Sequence, residues 1–336
     1  MLLGILEVYA RYVYKEGIKN SSFYTVDKEL RFVTEAYHHT LWNEPWANYK
    51  PNSYIEHSKN QKLYSCSINR LGFRGSEALN ESINGKNTTL IACIGGSTTV
   101  EGENDQKTYP ATLEKYLQED GFSVSVLNAG IAGLDSTGYK KLLNSIKRKH
   151  NPNFLIEYNA VNDVCWRLIP HWIKQMTSSD GARLKVAALQ SVFFKLYFSE
   201  LLMPDQQIIR KDLKDFVFSN LLTVAQDCEE NNSTLFVCSF AYPTIEEGDA
   251  RAYSYFNYNL LHWWNSLYFN FDQYVKIVDI YNEDLKAFAN DNNIHYIPVN
   301  ENAFFETRDF LDICHMKQSG IEKKAKVISD YLSNHL

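Results

Sequence analysis

Apolar and polar positions change period repeatedly along the chain, and each change marks an element. Leu90-Ile91-Ala92-Cys93-Ile94 is a continuous apolar run that stops at Gly95-Gly96 and then offers Ser97-Thr98-Thr99. Such a run, bounded by turn residues, predicts a strand buried on both faces. Similar short runs follow at 123–128, 154–158, 234–241 and 294–299. Between them the spacing lengthens to that of helices. Leu113, Tyr116 and Leu117 share a face over 109–119, with Pro110 in the first turn. Segments 137–150, 208–229, 252–290 and 320–332 read the same way. Strands alternating with helices predict an α/β class: a five-stranded parallel sheet between two helix layers, because right-handed crossovers put helices on both faces.

Two stretches break this alternation. Residues 1–85 carry Trp42, Pro45, Trp46, Tyr49 and Pro51 at spacings that fit neither a helix nor a strand. They predict an irregular N-terminal extension packed on a main domain of 86–336, its rings serving packing or a sugar groove. Asn69-Arg70-Leu71-Gly72-Phe73-Arg74-Gly75 then predicts a glycine-punctuated turn. A helical insertion is expected at about 164–206, where 186–203 is apolar but carries Lys195 and Glu200, making it a poor membrane span. It reads as a lid or as a helix packed on the core. Trp263, Trp264, Tyr268, Phe269 and Phe271 form an aromatic block of core character. The opening stretch, charged at Glu7 and Arg11, reads as an amphipathic helix and not as a signal peptide or membrane span; a partly represented membrane anchor is the alternative.

Composition narrows the function. With 336 residues, 45% of them hydrophobic, the chain has a sizeable core. A net charge of -6 with no dominant Lys/Arg cluster argues against nucleic acid as a partner. Cys66, Cys93, Cys165, Cys228, Cys238 and Cys314 form no C-x-x-C pair, and His38-His39 lacks a ligand spacing, so neither a metal nor a cofactor is expected. Cysteines lying in strands favour the cytoplasm.

The loops after the strands of an open parallel sheet share one edge, where ligands bind. Four polar blocks fall there or just before the last helix: Gly96-Ser97, 128–133, 159–163 and 309–315. A serine hydroxyl needs a base to take its proton, and an imidazole held by a carboxylate is the commonest one. Asp312 and His315, three residues apart, can meet that need in one turn. The Ser97 and Gly133 amides and the Asn162 side chain are the candidate donors to an oxyanion. An α/β-hydrolase elbow would want glycine where Thr99 stands, and no nucleotide-binding glycine motif follows any strand.

The blocks Ile94-Gly95-Gly96-Ser97-Thr98-Thr99, Asn128-Ala129-Gly130-Ile131-Ala132-Gly133, Asn159-Ala160-Val161-Asn162-Asp163 and Asp312-Ile313-Cys314-His315 resemble those of the SGNH hydrolase superfamily, the GDSL-type esterases and lipases, over about residues 88–336. The resemblance implies a flavodoxin-like three-layer α/β/α sandwich, Ser97 as nucleophile, Asp312 and His315 completing a catalytic triad, and an oxyanion hole of Ser97, Gly133 and Asn162. Gly96 stands where the family usually has aspartate, and Ala160-Val161 replaces a glycine-rich lead. The Gly-Gly-Ser-Thr form is similar to a polysaccharide-associated branch that also carries a segment like Asn69 to Gly75 and often an N-terminal membrane helix. That implies membrane association through the N-terminus and an envelope location, against the reading from the cysteines. The expected activity is removal of an acyl group, acetyl foremost, from a carbohydrate or other small polar ester. O-acyl transfer to a glycan, lipid ester or thioester hydrolysis, and glycan binding without catalysis are the alternatives.

Overall fold

The computed structural model describes residues 2–19, 42–44, 48–59, 62–75, 88–148, 150–178, 187–188, 190–262 and 270–336. His38, His39, Pro45, Trp46, Val186, Trp263, Trp264, Tyr268 and Phe269 lie outside them. In chain order the elements are α1 (Leu2–Lys19), β1 (Trp42–Glu44), β2 (Asn48–Tyr49), β3 (Ser53–Lys59), β4 (Lys62–Ile68), β5 (Thr89–Gly95), α2 (Ser97–Val100), α3 (Tyr109–Glu119) and β6 (Val124–Gly130). Then follow α4 (Tyr139–Lys147), β7 (Phe154–Tyr158), α5 (Ile169–Thr177), α6 (Val192–Tyr197), α7 (Gln206–Leu213), α8 (Ser219–Glu230) and β8 (Thr234–Cys238). The chain closes with α9 (Ala250–His262), α10 (Phe271–Asp291), β9 (His295–Ile297), α11 (Val299–Asn302) and α12 (Gln318–Leu332).

The central sheet has the order β6-β5-β7-β8-β9, every pair parallel. From β5 the chain first steps to one side, to β6, and then crosses to the other, to β7. This reversal opens a crevice beyond the carboxyl ends of β5 and β7, the usual place for a ligand in such sheets. α3 packs with α12, and α4 with α8, giving the helix layers of an α/β/α sandwich. Ile91, Ala92, Cys93 and Ile94 of β5 are all fully buried, as their uninterrupted apolar run requires. Burying each large side chain of this kind contributes roughly 1.5–3 kcal/mol.

The N-terminal region is more regular than the sequence suggested. β1 pairs with β2, and β3 with β4, in antiparallel hairpins. In β4 the buried Cys66 and Ile68 alternate with the half-buried Ser65 and Ser67, a two-residue period that the neighbouring irregular aromatics hide. The segment after β4 locks this region to the sheet. Asn69 Oδ1 accepts the amides of Leu71 and Phe73 at 2.9 and 3.1 Å. Buried Arg74 donates to the carbonyls of Val100, Gly102 and Ser65 and to Asp105.

In the insertion, α6 packs on α1. Glu7 accepts the amides of Val192 and Phe193 at 3.0 Å and the Ser191 hydroxyl at 2.7 Å, covering the open amino end of α6. Burial works to raise the Glu7 carboxyl, but these donors and Arg11 hold it down at about 2. The expected single helix over 208–229 is two, α7 and α8, joined by a π-helical turn at Lys214–Phe218. Among the described residues no helix is long and apolar enough to cross a membrane.

Candidate active site

The switch-point crevice gathers all four polar blocks. β5 ends in Gly95, whose φ of +152° and closeness to its neighbours leave no room for a side chain: a Cβ there would lie 2.3 Å from the Tyr158 carbonyl oxygen. The next residue, Gly96, precedes α2, so Ser97 sits on the first turn of a four-residue helix. A Cβ on Gly96 would lie 2.2 Å from Asn162 Nδ2. The space an aspartate would need is thus occupied by the Asn162 amide, which explains glycine here in terms of contact.

Ser97 and His315 are 218 residues apart in sequence, yet Ser97 Oγ lies 2.8 Å from His315 Nε2. His315 Nδ1 lies 2.7 Å from Asp312 Oδ2. Asp312 uses its other oxygen, Oδ1, to accept the amides of Cys314 at 2.8 Å and His315 at 2.6 Å. The carboxylate therefore shapes the turn and orients the ring at once. The turn is itself pinned: Leu311 N donates to the His315 carbonyl, and the hydroxyls of Tyr255 and Tyr274 donate to the carbonyls of Leu311 and Ile313. Ser97 is 6% exposed, Asp312 1% and His315 5%.

Burial by itself would lower the His315 imidazole, but the Asp312 charge and hydrogen bond override it and raise the pKa. Burial would likewise raise the Asp312 carboxyl, yet His315 and the two amides hold it below the ordinary carboxylate range. The two shifts agree in sense and describe one coupled pair. Among the described residues Asp312, Cys314 and His315 are also the one cluster with metal-ligand atoms within 4.8 Å of each other. The 2.7 Å Nδ1 to Oδ2 contact has the length of a charge-assisted hydrogen bond, and burial pushes the Cys314 thiol well up, away from the thiolate a metal needs.

The loops after β6 and β7 face each other across the crevice. Ile131 N donates to the Gly95 carbonyl at 3.0 Å and Leu134 N to the Ile131 carbonyl at 2.9 Å, while Ala132 N donates to the Tyr49 hydroxyl at 2.8 Å. These bonds bracket Gly133, whose own amide has no acceptor among the described residues; the Ser97 amide has none either. The side-chain amides of Asn159 and Asn162 both donate to the Leu134 carbonyl, at 2.9 and 2.8 Å. One hydrogen of Asn162 Nδ2 remains for another acceptor. Asp163 faces away from this centre, accepting Ser136 N, Ser136 Oγ and Arg167. It ties the two loops together, and burial raises its carboxyl to about 6.

Three residues around the centre escape a reading of the sequence by motif: Tyr49, Glu101 and Lys324. Tyr49 lies among irregularly spaced aromatics, and nothing in its spacing points to the β6 loop. Lys324 did leave a signal, because it falls on the apolar stripe of α12 with Ile321, Ala325 and Ile328, all buried.

No protein-family model and no curated protein matches the sequence. Among solved structures, the chain is similar to a catalytic mutant of Axe2, an acetylxylan esterase from Geobacillus stearothermophilus, at 14% identity and a TM-score of 0.43 over 73% of this chain and 93% of that one. It is also similar to a putative acylhydrolase from Bacteroides fragilis, at 13% identity and a TM-score of 0.41, over 77% of this chain and 95% of that one. A GDSL-like lipase from Bacteroides thetaiotaomicron is 12% identical, with a TM-score of 0.40, over 78% and 93% of the respective chains.

Proposed function

We propose that the chain is a serine ester hydrolase of the SGNH kind, which removes a short acyl group, acetyl foremost, from a carbohydrate or other small polar ester. The observation that carries this reading is the continuous hydrogen-bonded line from Ser97 Oγ through His315 to Asp312, at 2.8 and 2.7 Å. Ser97 Oγ attacks the ester carbonyl carbon while His315 Nε2 takes its proton. The tetrahedral oxyanion is met by the free amides of Ser97 and Gly133 and the second hydrogen of Asn162 Nδ2. His315 then protonates the departing alcohol, leaving acyl-Ser97. Water, deprotonated by His315, attacks that ester and releases the acid. Asp312 keeps Nδ1 protonated and faces the imidazolium that forms twice per cycle.

The preference for a carbohydrate rests on the resemblance carried by Gly95-Gly96-Ser97-Thr98. The test is hydrolysis of p-nitrophenyl esters of increasing chain length, followed by acetylated oligosaccharides with and without an unacetylated acceptor sugar. A rate that is highest for acetyl, with free acetate as product, is the expected result. A rate rising with chain length sinks the acetyl reading in favour of a lipid ester. Acetate appearing on the acceptor sugar converts the hydrolase into a transferase.

Gly96→Ala tests the oxyanion donor. Because the new Cβ would fall 2.2 Å from Asn162 Nδ2, Asn162 must move, and kcat is expected to drop about 10²-fold, the usual effect of losing one donor. Asn162→Ala should lose a similar amount, and the double variant no more than either, since both remove one interaction. Additive losses would show that Gly96 acts otherwise.

A further inference from the structure

We propose that Lys324 and Glu101 form a positioning pair that holds Ser97 and His315 in register, an inference that rests on the esterase reading above. Ser97 follows β5 and His315 precedes α12, 218 residues further along the chain. One buried ion pair joins them. Lys324 Nζ donates to the carbonyl of Thr98, the residue after Ser97, at 2.8 Å, and to Glu101 Oε1 at 2.9 Å. Glu101 Oε2 accepts the amide of Met316, the residue after His315, at 2.8 Å. A path of three polar contacts thus runs from the backbone beside the nucleophile to the backbone beside the base.

The pair is fixed on every side. Lys324 is fully buried and Glu101 8% exposed. The ammonium stands 4.6 Å from the Tyr109 ring centroid and 4.4 Å from that of Tyr158, cation–π contacts that partly replace its lost hydration. On the α2 side Arg74 donates to the carbonyls of Val100 and Gly102, the residues that flank Glu101. A buried ion pair is weak evidence of a stabilising role, since apolar residues of similar volume often serve as well or better. Its placement beside the two reacting residues gives it a different use. Ser97 Oγ must keep its hydrogen-bond distance to Nε2, and a misplacement of about 1 Å is enough to cost about 10²-fold in rate.

Glu101 also acts on His315 through space. Burial lowers the His315 pKa, Asp312 and Glu101 raise it, and Lys324 lowers it. The neighbouring Cys314 thiol, pushed up by burial, stays uncharged. Replacing Glu101 with glutamine removes the acid's contribution, so beside a charged Lys324 the His315 imidazole titrates lower.

The experiment uses the full chain as wild type, Glu101→Gln, the double variant Lys324→Met/Glu101→Gln, and Ser97→Ala. Each is checked by thermal unfolding, labelled with a fluorophosphonate probe and assayed on p-nitrophenyl acetate across pH. The double variant keeps an acceptor for Met316 N but loses the donor to Thr98. It is expected to fold, to keep KM, and to lose kcat by about 10²-fold. Glu101→Gln is expected to move the acid limb of the kcat profile to lower pH. Folded variants with wild-type kcat and an unmoved acid limb overturn the positioning role, as does a double variant that fails to fold, which would make the pair scaffold alone. A wild type that reacts with the probe no faster than Ser97→Ala removes the esterase reading itself, and the pair's role falls with it.

Discussion

Ser97→Ala is expected to abolish ester hydrolysis, with kcat lower by on the order of 10⁶-fold, the loss seen when a triad nucleophile is removed. In the proposed mechanism Ser97 Oγ is the one atom of the site that becomes covalently bonded to the acyl group, so nothing else can substitute for it. The remaining donors would still bind and polarise an ester, leaving a residual acceleration of about 10³–10⁴ over water. The fold should be untouched, because the side chain's hydrogen bond to His315 Nε2 is replaced by a methyl group of smaller volume and the ring keeps its bond to Asp312. Measurement of initial rates with p-nitrophenyl acetate, with melting temperatures beside them, decides the matter. A folded Ser97→Ala protein that hydrolyses the ester at the wild-type rate would falsify the nucleophile assignment, whereas wild-type and variant proteins that are both folded and inert would favour a glycan-binding role without catalysis.

Much of this architecture is legible in the sequence because a parallel strand buried on both faces writes itself as an unbroken apolar run. β5 and β7 begin within a residue of where the runs at 90–94 and 154–158 place them, and α3 occupies 109–119 as its spacing and Pro110 indicate. The N-terminal hairpins were not legible. Their pairing is set by register between residues such as Ser53 and Ile68, and the two-residue period of β4 is too short to stand out beside irregularly spaced Tyr, Trp and Asn. The site shows the same division. Asp312 and His315 lie three residues apart, so one turn relates them and the sequence displays it. Lys324 meets Thr98 across 226 residues, and only the packing of α12 on α3 brings it there. Tyr49 reaches the loop of Gly133 by the same kind of long-range closure. Local spacing reveals contacts made within a turn, whereas contacts made by layers are hidden until the layers are stacked.

Asp312→Asn is expected to lower kcat by about 10⁴-fold while leaving the fold in place. The asparagine introduced can still accept the amides of Cys314 and His315 through one oxygen, as Asp312 Oδ1 does now. Its other terminal group then becomes an NH₂ facing His315 Nδ1. Two donors cannot face each other, so the imidazole must place its hydrogen on Nε2, where it points at Ser97 Oγ and can no longer accept the proton. Two pH effects follow from the present shifts. With the carboxylate gone, burial loses its main opponent and the His315 pKa falls, so the acid limb of the residual rate moves to lower pH. Stability changes with a defined window. The raised His315 contributes stability fully below its ordinary 6.5 and loses it as pH climbs through the folded value. The depressed Asp312 contributes above its ordinary 3.8 and loses it as pH falls through its folded value. The difference in melting temperature between wild type and Asp312→Asn should therefore be largest between these two ordinary values and shrink on the alkaline side. A difference that grows with rising pH, or an Asp312→Asn enzyme within tenfold of wild-type kcat, would show that Asp312 holds only the turn and that His315 chooses its tautomer without it.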